Sequence, residues 1–249
     1  MINIKNLTKC YGNITAVSSL NLHIAAGECF GFLGPNGAGK TTTIKLLSGL
    51  LKPNEGVVEI GGYDVQKEPR KVKGMIGYIP DKPFIYEKLT GGEFLNFITD
   101  LYGVDGASVS QKREELLNLF GIKDFEHELV ESYSHGMRQK LVITAALIHN
   151  PRVIIIDEPM VGLDPKGMRQ VKEIFKELTK NGITIFMSTH TMSIAQEMCH
   201  RIGIINKGRL IALGTMDELR KQAKLSSGLE DVFLQLTSEN PTLIYNSFS

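Results

Sequence analysis

Residues 34 to 41 read Gly-Pro-Asn-Gly-Ala-Gly-Lys-Thr, and they lie between an apolar run, Cys29 to Leu33, and a stretch from Lys40 to Leu51 that favours helix until Pro53. This order of strand, glycine-rich turn and helix constrains the chain more than any other feature. The octet fits the pattern G-x-x-x-x-G-K-[ST], in which Gly37 and Gly39 let backbone N–H groups turn inward around phosphate oxygens. The helix opening at Lys40 adds its positive dipole end. Lys40 supplies a mobile positive charge, and the Thr41 hydroxyl is placed to ligate Mg2+, a hard cation that prefers oxygen.

A second half of a nucleotide site is spelled by Val153-Ile154-Ile155-Ile156-Asp157-Glu158, a buried apolar strand ending in two carboxylates. Asp157 is placed to hold the metal through water, and Glu158 to orient or deprotonate an attacking water. Further strands are expected at 57–60, 75–79, 184–187 and 202–205, with helical spacing at 93–102, 110–120 and 167–180. That alternation implies an α/β fold with parallel strands and helical crossovers, and a mainly helical insert over 81–150.

Composition narrows the partners. Lys+Arg total 28 and Asp+Glu 27, a formal charge of +1, so no basic nucleic-acid footprint is present and no nucleic acid is expected. Cys10, Cys29 and Cys199 form no CxxC pair, which argues against a zinc site and for a reducing compartment. The first residues read as an alternating strand rather than a secretion signal, and no apolar run approaches the roughly 20 residues of a membrane helix. Any membrane role is expected to come through a partner.

Four further segments surround these motifs. Tyr11 follows the first strand, Tyr133-Ser134-His135-Gly136-Met137 precedes a long helix, Gly162-Leu163-Asp164-Pro165 follows the acidic pair, and Ser188-Thr189-His190 ends a strand. In this order, over nearly the whole chain, they resemble the nucleotide-binding subunit of ATP-binding cassette (ABC) transporters. The resemblance implies a P-loop NTPase core with a mainly parallel sheet flanked by helices (1–80 and 151–215), an N-terminal antiparallel β portion, a helical signature subdomain (81–150) and a helical tail (216–249). It implies that Tyr11 stacks on adenine and that Gly34, Pro35, Asn36, Gly37, Ala38, Gly39, Lys40, Thr41 and Thr42 hold the phosphates of ATP. Thr41 and Asp157 would hold Mg2+, Glu158 would act on water, and His190 would contact the terminal phosphate. Ser134, His135, Gly136 and Asp164 would serve a site shared with a second cassette, Ser134 also being suited to cap its own helix.

The sequence departs from the family signature Leu-Ser-Gly-Gly-Gln at Tyr133, His135 and Met137. Asp81 stands where many members have glutamine; it could ligate Mg2+ through water or face solvent. The tail from Gly228 to Thr237, like Asp81 and the Ser134-His135-Gly136-Met137 form, is similar to that of exporter-type members, which implies export rather than import. The family resemblance itself implies multi-span membrane partners and a place on the cytoplasmic face of the cell membrane. The same tail would pack as an amphipathic helix through Leu229, Val232, Phe233 and Leu236. Phe84, Ile85 and Tyr86 are expected either to pack in the core or to line a groove for a membrane subunit. Three other readings stay open: an importer ATPase, a soluble ABC ATPase acting on ribosomes or DNA, and a small-molecule kinase.

Overall fold

Burial on both faces organises the central sheet. In the computed structural model, which describes residues 1–82, 84–104, 106–226 and 228–237, β3 (Cys29–Leu33), β6 (Ile76–Ile79), β7 (Val153–Asp157), β8 (Thr184–Thr189), β9 (Arg201–Asn206) and β10 (Arg209–Gly214) form one sheet in the order β10-β9-β3-β8-β7-β6. The neighbours β9/β3, β3/β8, β8/β7 and β7/β6 run parallel, and β10 returns antiparallel on β9. Along β7, Val153 and Ile155 enter one apolar cluster while Ile154 and Ile156 enter another. Fully burying one such side chain contributes about 1.5–3 kcal/mol, more than the ~1 kcal/mol span of strand propensities. Two-sided burial therefore decides why this run is a central strand.

On one face lies an antiparallel sheet in the order β2-β1-β4-β5, built from β1 (Ile2–Tyr11), β2 (Ile14–Ile24), β4 (Glu55–Ile60) and β5 (Tyr63–Asp64). Its residues Ile2, Ile4, Leu22 and Ile24 pack with Phe30, Phe32 and Phe186 of the central sheet and with Ile44 and Leu47 of α1 (Lys40–Leu47). The other face is covered by α3 (Gly91–Tyr102), α4 (Ala107–Phe120) and α5 (His135–Leu147), which lie between β6 and β7 in the chain, and by α6 (Pro165–Lys180). A third cluster joins α7 (Met192–Met198), α8 (Met216–Ala223) and α9 (Leu229–Thr237) to β9. Leu229, Val232 and Phe233 are buried there, so the tail stripe packs on the domain. The part of the expected tail beyond residue 237 lies outside the described residues, as does Pro83 beside the aromatic segment.

Several boundaries differ from expectation. Helix α1 stops at Leu47 rather than Leu51, because Ser48 Oγ bonds back to the Ile44 carbonyl and Gly49, at φ +70°, turns the chain. The strand expected from Met75 begins at Ile76, since Met75 ends α2 (Pro69–Met75), a helix the apolar spacing did not reveal. Helix α3 begins two residues before Glu93, because Thr90 and Glu93 form a reciprocal capping box. No helix among the described residues is long and apolar enough to cross a membrane.

The last residue of α3 and a residue just past α5 meet the core at one atom. Tyr102 Oη, at the end of α3, donates to the Ile76 carbonyl oxygen (3.4 Å), and His149 Nε2, just past α5, lies 3.0 Å from the same oxygen. The two rings stack with centroids 3.7 Å apart. His149 Nδ1 is buried and has no hydrogen-bond partner, and burial holds this histidine below the ordinary range, only partly offset by the Ile76 bond. A histidine whose folded pKa is depressed contributes stability above its unfolded pKa, about 6.5, and that stability drains away as pH falls from there towards the lower folded value. We expect the melting temperature to fall on acidification from about pH 7 to 5, and His149→Phe, which keeps the stack but cannot gain a proton, to flatten that slope. Equal slopes in the two proteins, followed by calorimetry, would exclude His149 as the source.

Candidate functional site

The phosphate-loop residues leave the carboxyl end of β3 and turn back into α1. Gly37 and Gly39 sit at φ +78° and +110°, a region that favours glycine, and a Cβ at Gly39 would collide with the Ala16 carbonyl on β2. No side chain caps the start of α1, which leaves the helix dipole facing the loop. Lys40, only 8% exposed, donates through Nζ to the carbonyls of Gly34 (2.6 Å) and Pro35 (3.2 Å). Burial pushes its ammonium below the usual lysine range, while the charges of Glu158 and Asp157 push it back up. Ala38 is held by the Gly208 N–H on its carbonyl, whereas Pro35 and Asn36 are exposed and Thr42 is half-buried.

Opposite the loop stand the two acids. The β7/β8 register sets Asp157 beside Ser188, whose Oγ donates to Asp157 Oδ1 (2.6 Å), and Thr41 Oγ1 donates to Oδ2 (3.3 Å). Burial pushes the Asp157 carboxyl above its usual range, and the charges of Glu158 and Asp81 add to the rise. Glu158 sits in the left-handed region at φ +52°, which turns its side chain towards the end of β8. There Oε2 accepts from Thr189 Oγ1 (3.0 Å), and Oε1 accepts from the His190 N–H (3.0 Å) and faces His190 Nδ1 (2.7 Å). Lys40, Thr41, Asp157, Glu158 and His190 thus come together, with exposed Asp81 close enough for its charge to act on Asp157.

The donor chemistry fits Mg2+ with a phosphate ligand. A hydroxyl and a carboxylate converge at Thr41 and Asp157, and repulsion among Asp81, Asp157 and Glu158 would be relieved by a cation. No group of three or more His, Cys, Asp or Glu among the described residues could hold a metal alone. The remaining ligands would be phosphate oxygens and water, as suits this ion.

The other candidates lie elsewhere. Ser134 is the N-cap of α5 and accepts from the Met137 N–H (3.3 Å), and Asp164 caps α6 by accepting from the Gly167 N–H (2.8 Å). The exposed His135 ring fills the space where Gly162 would carry a Cβ, and Gly136 faces the Gly162 carbonyl, so the signature residues rest on the segment before Asp164. The Tyr133 departure has a local reason: its ring is buried, its hydroxyl donates to the Phe125 carbonyl (2.6 Å), and burial pushes its pKa up to about 12. Tyr11, 47% exposed, ends β1 with Lys9 Nζ over its ring, 5.5 Å from the ring centre.

A groove of about 860 Å3 runs beside His135 and Arg138, walled by Phe84, Tyr86 and Phe97. Phe84 is 81% exposed and meets Tyr86 edge to face, while Ile85 packs on the core. Core packing, one of the two expectations, therefore holds for Ile85 and fails for both rings. Arg138 pairs with Glu87 (2.6 Å), joining the groove wall to α5. Sequence reasoning missed the bonds of Ser188 and Thr189 to the two acids. The signal available for Ser188 was that two parallel strands end together.

Known proteins match this chain in sequence and in fold. The family model described as ABC transporter matches residues 17–161. The linearmycin resistance ATP-binding protein LnrL of Bacillus subtilis (strain 168) is 38% identical over 219 residues, which cover 88% of this chain and 70% of that protein. A solved ATP-binding subunit of an ABC transporter superposes with a TM-score of 0.91 at 33% identity, covering 96% of this chain and all of the other. A dimeric ATP-binding cassette in a post-hydrolysis state bound to ADP and Pi superposes at 0.79 and 28% identity, over 86% and 98% of the two chains. A family model matching more than half of the chain, and relatives at 33–38% identity over most of its length, show that the chain belongs to the ABC transporter family, as an ATP-binding and ATP-hydrolysing subunit.

Proposed function

We propose that this subunit powers export of a substrate through separate multi-span membrane proteins, working as one of two cassettes at the cytoplasmic face of the membrane. The observation that carries the reading is the meeting of Lys40, the Thr41–Asp157 pair and the Glu158–His190 pair at adjacent strand ends. Lys40 exchanges its carbonyl partners for phosphate oxygens, and Thr41 with Asp157 holds Mg2+, which supplies neutralisation of phosphate charge. Glu158 orients a water and accepts its proton. His190 keeps Nδ1 towards Glu158, leaving Nε2 for a terminal phosphate oxygen. Tyr11, half exposed, offers its ring to adenine.

Ser134 makes no hydrogen bond to the phosphate loop of its own chain. We assign it, with His135, Gly136 and Asp164, to the nucleotide of the second cassette, a reading supported by the dimeric relative bound to ADP and Pi. The direction of transport is supported by the resistance protein among the relatives. For the membrane partner, the exposed Phe84 and Tyr86 rings suit a short apolar helix, and the Arg138–Glu87 pair carries its load to α5.

Three outcomes follow from these assignments. Glu158→Gln should keep ATP binding but lower turnover by about 10²-fold or more, and ATP should then hold a long-lived dimer measurable by light scattering. Wild-type turnover in this variant would sink the role of Glu158. Ser134→Arg and Lys40→Ala should each be inactive as pure dimers, whereas mixing them should restore one working site per dimer; mixed dimers that form but stay inactive would rule out shared sites. Replacing Phe84 and Tyr86 with serine should reduce recovery of multi-span proteins from mild-detergent membrane extracts, while the purified subunit keeps its basal ATPase and melts within about 2 °C of wild type. Undiminished recovery would place the partner elsewhere.

A further inference from the structure

Helix α9 takes no part in the chemistry assigned above, yet it packs against both walls of the terminal-phosphate region. Leu229 and Val232 share an apolar cluster with Leu33, the residue before the phosphate loop, and with Ala195 on α7, the helix that follows His190. The Leu229 N–H donates to Gln196 Oε1 on α7 (3.2 Å), and Asn206 Nδ2 at the end of β9 donates to the Thr237 carbonyl (3.3 Å). Between these two ties Phe233, itself buried, lines a cavity of about 260 Å3 with Pro35, Asn36, His190 and Met192.

The turn that carries His190 is held unequally on its two sides. From the strand side, Thr189 Oγ1 accepts from the Thr191 N–H while donating to Glu158. From the helix side, α7 is only seven residues long, and no side chain caps its start. α9 covers one face of it through Ala195, while Ile194 and Met198 seat the other face in the core beneath the central sheet. The cavity is far larger than the space one water needs, so the His190 ring has room to move, and Phe233 forms one wall of that room.

We propose that Phe233 is a positioning residue for His190: α9 sets the distance between the Pro35–Asn36 arm of the phosphate loop and the His190 turn, so that the imidazole reaches a terminal phosphate oxygen without losing Glu158. The proposal rests on the roles given above to His190 and Glu158. A ring present only for packing would change the melting temperature and leave the nucleotide response alone. A positioning ring changes kcat more than KM and feels the terminal phosphate.

The chain contains no tryptophan, so Phe233→Trp places a single fluorescent reporter beside His190, with the cavity to receive the larger ring. In a Phe233→Trp/Glu158→Gln protein, ATP with Mg2+ should shift the emission and ADP should not, and adding His190→Ala should abolish the ATP-specific shift. Phe233→Ala should lower kcat about tenfold, the scale that a small misplacement of a reacting group produces, while the KM for ATP changes by less than about twofold. Phe233→Leu should recover most of that kcat. Wild-type kcat in Phe233→Ala while it remains folded, or identical emission with ATP and ADP, overturns the proposal. Lys40→Ala is assayed alongside: ATPase activity that survives it defeats the reading of the phosphate loop itself, a failure distinct from that of Phe233.

Discussion

Leu33 pairs with Thr189, and Asp157 with Ser188, across two neighbouring parallel ladders, so β3, β7 and β8 end side by side. Every group that meets phosphate depends on that register. A slip of one residue along β7 would exchange its two faces, sending Val153 and Ile155 into the cluster now filled by Ile154 and Ile156. Burial on both sides thus holds the strand ends in line without help from the site.

The site itself works against that stability. Lys40 and Asp157 are both pushed towards their neutral forms by burial, and Asp157 also faces the charges of Glu158 and Asp81. The chain answers with local hydrogen bonds: two carbonyls on Lys40, and two hydroxyls on Asp157. Such strain is expected where charges are arranged for a charged ligand, and it gives phosphate and a divalent cation something to relieve.

What could be read from the chain alone was what neighbouring residues determine. The phosphate loop and the β7 run with its two acids are contiguous, and the structure has both in place. The bonds of Ser188, Thr189 and His190 to the acids join residues about 31 apart in sequence, and they follow from strand register rather than local pattern. Aromatic composition could not divide Phe84 and Tyr86, which are exposed, from Ile85, which is not, because apolar residues read alike for a core and for a surface groove. Helix α2 escaped because its seven residues bury only Val72, too little for a periodic stripe.

Tyr102 and His149 hold the helices between β6 and β7 to a single carbonyl, that of Ile76. Such an attachment works beside the apolar packing of α5, whose Leu141, Ile143 and Leu147 share a cluster with Ile154 and Ile156 of β7. Because close-packed interiors transmit strain, a load at the Phe84 rim would reach Ser134 through a stiff body rather than be absorbed on the way.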